Sequence, residues 1–260
     1  MLVDSHCHIP LLSEDMPVDE IMAKARELEV SHMLCVSIDL ESFPQVLSLT
    51  QRYDNVFASV GVHPNSEVSR EPDPDHLAAL AADEKVIAIG ETGLDYYRSS
   101  GDLEWQRERF RAHIHAAKTV NKPLIIHSRD AQEDVINILT KEEADKVGGV
   151  MHCFVDDWET AQKAMALNFC ISFSGIVTFK NAGEVQEIAK QVPLDHLLIE
   201  TDSPYLAPVP FRGKTNQPGY VRYVAEFLAE LRGETFDQIA VATTDNFFRL
   251  FHLYKLDKYQ

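Results

Sequence analysis

Cysteine is scarce in this chain: Cys7, Cys35, Cys153 and Cys170 are dispersed and form no CxxC pair. That argues against a disulfide framework and fits buried free thiols in a reducing compartment. Basic charge is also short. Lys and Arg number 24 against 41 Asp and Glu, a net charge of −17, so the overall field repels polyanions rather than gathering them. No apolar run is long enough to cross a bilayer, and no basic leader precedes Leu2-Val3-Asp4. Neither secretion nor a membrane span is expected, and the cytoplasm is. Internal repeats and low-complexity linkers are missing too, which predicts one domain over 1–260.

What is present is alternation. Eight short β-rich runs stand at Leu2 to Ser5, Met33 to Ser37, Val56 to Val62, Val86 to Glu91, Pro123 to His127, Gly149 to His152, Phe169 to Ser174 and His196 to Thr201. Between them lie stretches of helical period. The clearest is Asp102 to Asn121, which carries Trp105, Phe110, Ile114 and Ala117 among charges. Others are Pro17 to Glu29, Asp130 to Lys146, Trp158 to Leu167, Asn181 to Gln191, Tyr220 to Arg232 and Thr235 to Leu253. Strands alternating with helices predict parallel βα units, and eight of them a single α/β (β/α)8 TIM barrel. Ser203 to Pro218 stands out, with four prolines and Gly213. It reads either as a stiff surface loop or as a lid or substrate wall.

Metal-competent residues fall at the carboxyl ends of these strands, where such barrels build their active sites. In Asp4-Ser5-His6-Cys7-His8, strand alternation puts both imidazoles on one face and Cys7 on the other. Glu91 ends the fourth strand, His127 the fifth and His152 the sixth, and Asp202 follows the eighth. Any one of these alone would read as a satisfied loop residue; six at equivalent positions point to metal. His32, His76, His113, His115, His196 and His252 lack that placement and read as surface or structural.

Four histidines and two carboxylates exceed one tetrahedral ion, so two ions are expected, with Glu91 bridging. His6, His8 and Asp202 would complete one, His127 and His152 the other. Two cations about 3.5 to 4 Å apart activate water for displacement at phosphorus. Asp202 could also accept the water's proton. The mixed ligand set suits Zn²⁺, Mn²⁺, Fe²⁺ or, less comfortably, Mg²⁺.

These residues lie in a wider set of motifs: Gly61-Val62-His63-Pro64, Gly90-Glu91-Thr92-Gly93-Leu94-Asp95, His127-Ser128-Arg129-Asp130-Ala131, His152-Cys153-Phe154 and Glu200-Thr201-Asp202-Ser203-Pro204-Tyr205. With them the chain resembles, nearly end to end, the TatD family of metal-dependent hydrolases, in its YcfH-like branch among the amidohydrolase-type barrels. The resemblance implies a βα barrel, divalent metals at the six positions, and hydrolysis, with DNase activity reported in the family. One departure is that His8 is followed by Ile9-Pro10 rather than Leu-Asp.

Four residues are candidate substrate contacts. His63 ends the third strand and faces the same mouth; Arg129 either clamps a phosphate or pairs with Asp130 at a helix start. Arg212 and Lys214 are either phosphate guides or solvated charges. The expected function is a metal-dependent deoxyribonuclease, exonucleolytic on single-stranded or frayed ends. DNA or another phosphodiester would be a transient partner; no obligate protein partner is expected. The alternative enzyme is an amide, ester or lactone hydrolase, since the same chemistry attacks carbonyl carbon. A non-enzymatic metal-binding module is the third reading.

Overall fold

Strands that are apolar on both faces need cover on both, and the amphipathic helices between them supply it. The computed structural model describes residues 1–13 and 15–255. Its strands are β1 (Leu2–Cys7), β2 (Val30–Cys35), β3 (Val56–Val60), β4 (Val86–Asp95), β5 (Leu124–Arg129), β6 (Gly149–Met151), β7 (Phe169–Phe173) and β8 (Leu197–Ile199). The helices are α1 (Ile9–Leu12), α2 (Val18–Glu27), α3 (Phe43–Arg52), α4 (Pro74–Leu80), α5 (Glu104–Val120), α6 (Gln132–Lys141), α7 (Trp158–Ala166), α8 (Gly183–Gln191), α9 (Val221–Arg232) and α10 (Phe236–Leu250). The strands follow one another through a single sheet in chain order, β1 to β8. Eight parallel strands alternating with helices make this a (β/α)8 TIM barrel, the expected fold class. Of the expected 1–260 domain span, residue 14 and residues 256–260 lie outside the described residues.

Contacts divide the chain into two units. The first comprises Met1–Cys35, Cys153–Asp157 and Ile171–Gln260. Its framework is β1 with α10 and β8. A capping box at Thr235 and Gln238 opens α10, whose Asn246 amide donates to the carbonyls of Leu194 (2.6 Å) and Leu197 (2.8 Å) at the start of β8. Residues 203–217 are tied down rather than free. Asn216 Nδ2 donates to Thr201 O (2.8 Å) and Tyr205 O (2.6 Å), and Val209 N–H donates to Thr178 Oγ1 (2.9 Å).

The second unit comprises Val36–His152 and Trp158–Cys170. Here α5 is the long element. Phe110, Ile114 and Ala117 share one face at helical spacing and are fully buried, and Asn121 closes the helix in the left-handed region at φ 51°. Two differences from the sequence reading matter. β4 runs four residues beyond the end that the sequence predicts at Glu91, and α3 and α4 stand where the sequence pattern predicts no helix. Among the described residues no helix is long and apolar enough to cross a membrane.

Candidate metal centre

The six expected ligands fall into two groups, three residues in the first unit and three in the second. In the first, β1 and the segment after β8 are sewn together. Asp202 N–H donates to His6 O (2.9 Å), His8 N–H donates to Ser203 O (2.8 Å), and the Thr201 N–H and hydroxyl both donate to the Asp4 carboxylate (2.8 and 2.6 Å). Asp4 shares the strand face of the two histidines, but its oxygens are spent on this seam. Asp202 itself sits at φ 55°, a conformation aspartate tolerates better than most residues.

The seam brings three donor atoms together. His6 Nε2 and His8 Nε2 are 3.2 Å apart, and Asp202 Oδ1 lies 3.3 Å from the second and 3.7 Å from the first. Donors on a four-coordinate ion with bonds of about 2.1 Å stand about 3.4 Å apart. The group therefore fits a divalent cation. The Asp202 side chain is 16% exposed against 1% for His6, so the carboxylate is the member nearest water.

The second group centres on Glu91. Its Oε1 lies 2.9 Å from His152 Nε2, 3.0 Å from His127 Nδ1 and 3.5 Å from His63 Nε2. Burial alone would push this carboxyl up, but His152 and His63 beside it, with hydrogen bonds from His127 and His152, hold it well below the usual carboxylate range. An ionised, buried carboxylate ringed by imidazoles is a donor set for a cation. The backbone there is crowded into place: Glu91 N–H donates to Ser37 O (3.0 Å) and Ser59 Oγ to Gly90 O (2.6 Å), while a Cβ on Gly90, at φ +146°, would meet Ile125 at 2.7 Å.

His63, expected as a substrate contact, thus stands within reach of Glu91 and His127, and its wiring fixes its chemistry. The Asn65 N–H donates to His63 Nδ1 (3.0 Å), so in the neutral ring Nε2 carries the hydrogen. That nitrogen is a donor, toward Glu91 or toward a substrate oxygen. Arg129 does not pair with Asp130 among the described residues; its guanidinium lies over the Tyr97 ring at 4.0 Å. Arg212 lies over Phe179 at 4.3 Å, and Lys214 is 5.8 Å from the Phe211 ring centre. All three side chains remain at least partly exposed.

Asp95 escaped the sequence reading as a site residue. Its Oδ2 is 3.2 Å from His127 Nε2 and accepts from Asn65 Nδ2 (2.7 Å). Burial raises its carboxyl, but the His127 hydrogen bond, the Arg98 N–H and Asn65 bring it down to about 2. The signal was alternation: Glu91, Gly93 and Asp95 share one face of β4 once the strand is continued.

The chain matches the model of the family described as TatD related DNase over residues 3–252. It is 49% identical over 256 residues to the uncharacterized metal-dependent hydrolase YcfH of Escherichia coli K12, covering 97% of this chain and 96% of that one. With the uncharacterized metal-dependent hydrolase YabD of Bacillus subtilis it shares 45% identity over 254 residues, 97% of this chain and all of the relative. Among solved structures, the TatD homologue YJJV from Escherichia coli K12 superposes with a TM-score of 0.86 at 28% identity, over 96% of this chain and 98% of its own.

Proposed function

The chain belongs to the TatD-related DNase family and is a metal-dependent hydrolase, and from that premise we propose that it cleaves phosphodiester bonds in DNA, working from single-stranded or frayed ends. The observation that carries the metal chemistry is the single Glu91 oxygen within 3.5 Å of three imidazole nitrogens. His6, His8 and Asp202 would hold one divalent ion, and Glu91, His127 and His152 a second. When bound, Zn²⁺, Mn²⁺ or Mg²⁺ supplies Lewis acidity to the scissile group and acidifies the attacking water.

The chain's own groups do the rest. Asp202 accepts the water's proton, and its exposure gives that proton a way out to solvent. His63 donates its Nε2–H to a non-bridging phosphate oxygen, which its Nδ1 partner pre-sets. Arg129, Arg212 and Lys214 offset phosphate charge locally on a surface that is acidic overall. The partner is therefore transient. The four free cysteines support a reducing, cytoplasmic setting.

The test is end-labelled single strands with protein stripped of metal and reconstituted with each ion, beside Glu91→Gln. Shortening from one end that needs metal and Glu91 is the expected result. Intact strands with every ion, from metal-replete protein, would overturn the assignment to DNA.

A further inference from the structure

Two consecutive tyrosines follow Asp95, and the fold treats them differently. Tyr96 is tied down: its hydroxyl donates to Asp134 Oδ2 (2.5 Å) and accepts from Arg107 Nε (3.0 Å), and its N–H donates to Arg129 O (2.9 Å). Tyr97 is 64% exposed. Its ring contact is the Arg129 guanidinium, 4.0 Å from the ring centre.

Three arginines in this region lie over aromatic rings, and their other partners separate them. Arg107, over Tyr96, also binds Glu104 and Asp134; Arg109, over Trp105, also binds Glu71. Among the described residues Arg129 has no carboxylate partner. With the ring beneath it and no carboxylate on its N–H groups, the Arg129 guanidinium keeps donors for a phosphate. Its place is also set. Arg129 ends β5, level with Asp95 in the ladder and two residues beyond His127 on the same strand face, roughly 6.6 Å along.

We propose that Tyr97 and Arg129 form a platform for one nucleotide of a single strand beside the bond to be cut, the base stacking on the open Tyr97 face and the phosphate taking the Arg129 edge. This rests on the DNase reading above and adds the element that selects the strand's form. Stacking on an aromatic ring tolerates every base but demands an unpaired one, so a duplex cannot use it until it frays.

The test uses full-length, metal-loaded protein, with fluorescence anisotropy on a labelled phosphorothioate oligo-dT strand and on a base-free strand with the same linkages. Tyr97→Ala should raise Kd for oligo-dT by about 5- to 100-fold, leave the base-free strand unchanged, and be rescued in Tyr97→Phe. Arg129→Ala should weaken both strands and flatten the slope of log K against log salt by about 0.7. Wild-type binding to oligo-dT that Tyr97→Ala leaves unchanged, or a loss equal for both strands, would overturn the platform while leaving the nuclease standing. A wild type that neither binds nor shortens any strand removes the nuclease reading, and the platform with it.

Discussion

The two ring nitrogens of His127 are held by two carboxylates, Nε2 by Asp95 at 3.2 Å and Nδ1 by Glu91 at 3.0 Å. Burial alone would push this imidazole down, but Asp95 and Glu91 carry it above its ordinary value. Without an ion Nδ1–H donates to Glu91; an ion there would replace that proton, and with Nε2–H kept by Asp95 the Nδ1 lone pair is the one it would meet. Asp95 therefore sets which nitrogen of His127 can reach an ion.

Replacing Asp95 with Asn keeps the size and loses that control. An amide can donate as well as accept, so the His127 tautomer is no longer dictated. Metal affinity should fall by about 10- to 100-fold, the usual effect of losing such an outer partner. Competition with a fluorescent chelator checks it; unchanged affinity in Asp95→Asn would show that His127 is oriented by something else.

That residue also marks how far the sequence was legible. The period of two in His6-Cys7-His8 and the places of His152 and Asp202 after their strands are written in the chain, whereas β5, expected to end at His127, runs on to Arg129. Asp95 is hidden because Gly93 interrupts the apolar pattern of β4, which by its sequence reads as a strand ending at Glu91. α4 went unseen because its seven residues bury only Leu77, too little for a period, and α3 because it opens on Phe43-Pro44 beside turn-like residues. The wiring of His63 lay beyond any pattern, since it depends on where the Asn65 N–H points.

Stability should depend on pH through His113, which lies outside the proposed centre. It is fully buried, accepts from Val62 N–H at Nε2 (2.9 Å) and donates from Nδ1 to Arg109 O (2.8 Å), so there is no room for a second proton. Burial pushes it down to about 4 from an ordinary 6.5. The folded value is the lower one, so nothing is lost above pH 6.5, and between 6.5 and 4 the unfolded chain takes up a proton that the folded chain refuses. The cost reaches about 2 kcal/mol at pH 5 and about 3 kcal/mol below pH 4. In urea titrations, His113→Gln should lose this part of the acid sensitivity relative to wild type. Parallel profiles for the two proteins would contradict it.

Arg109 and Glu71 form an asymmetric pair. The arginine side chain is 3% exposed, donates to Glu71 through Nε and Nη2 (2.7 Å each), and through Nη1 to His63 O (2.9 Å) and Ser66 O (3.0 Å). Glu71 is 50% exposed. Removing the glutamate strands a buried cation, whereas removing the arginine returns the carboxylate to water. Glu71→Gln should cost more than the 1 kcal/mol or so typical of a surface pair, and the double variant Arg109→Met/Glu71→Gln should be no less stable than Arg109→Met alone. Denaturation midpoints of the cycle decide it, and additive losses would mean the two act independently.

Gly93 separates steric from conformational demands. Its φ is +134°, and a Cβ there would fall well inside contact distance of His127 O, the carbonyl of the residue it pairs with in β5. Alanine must push β5 away, and His127 with it. Gly101 has φ +88° and nothing within 4 Å of its Cβ position, so alanine there meets only the backbone cost, about 1 kcal/mol. Gly93→Ala should therefore destabilise by about 3 kcal/mol or more and weaken metal binding, while Gly101→Ala does only the first, and mildly. Unfolding midpoints together with metal content per chain make the comparison. If both variants keep full metal content, the approach of β4 to β5 at this point does not hold His127 in place.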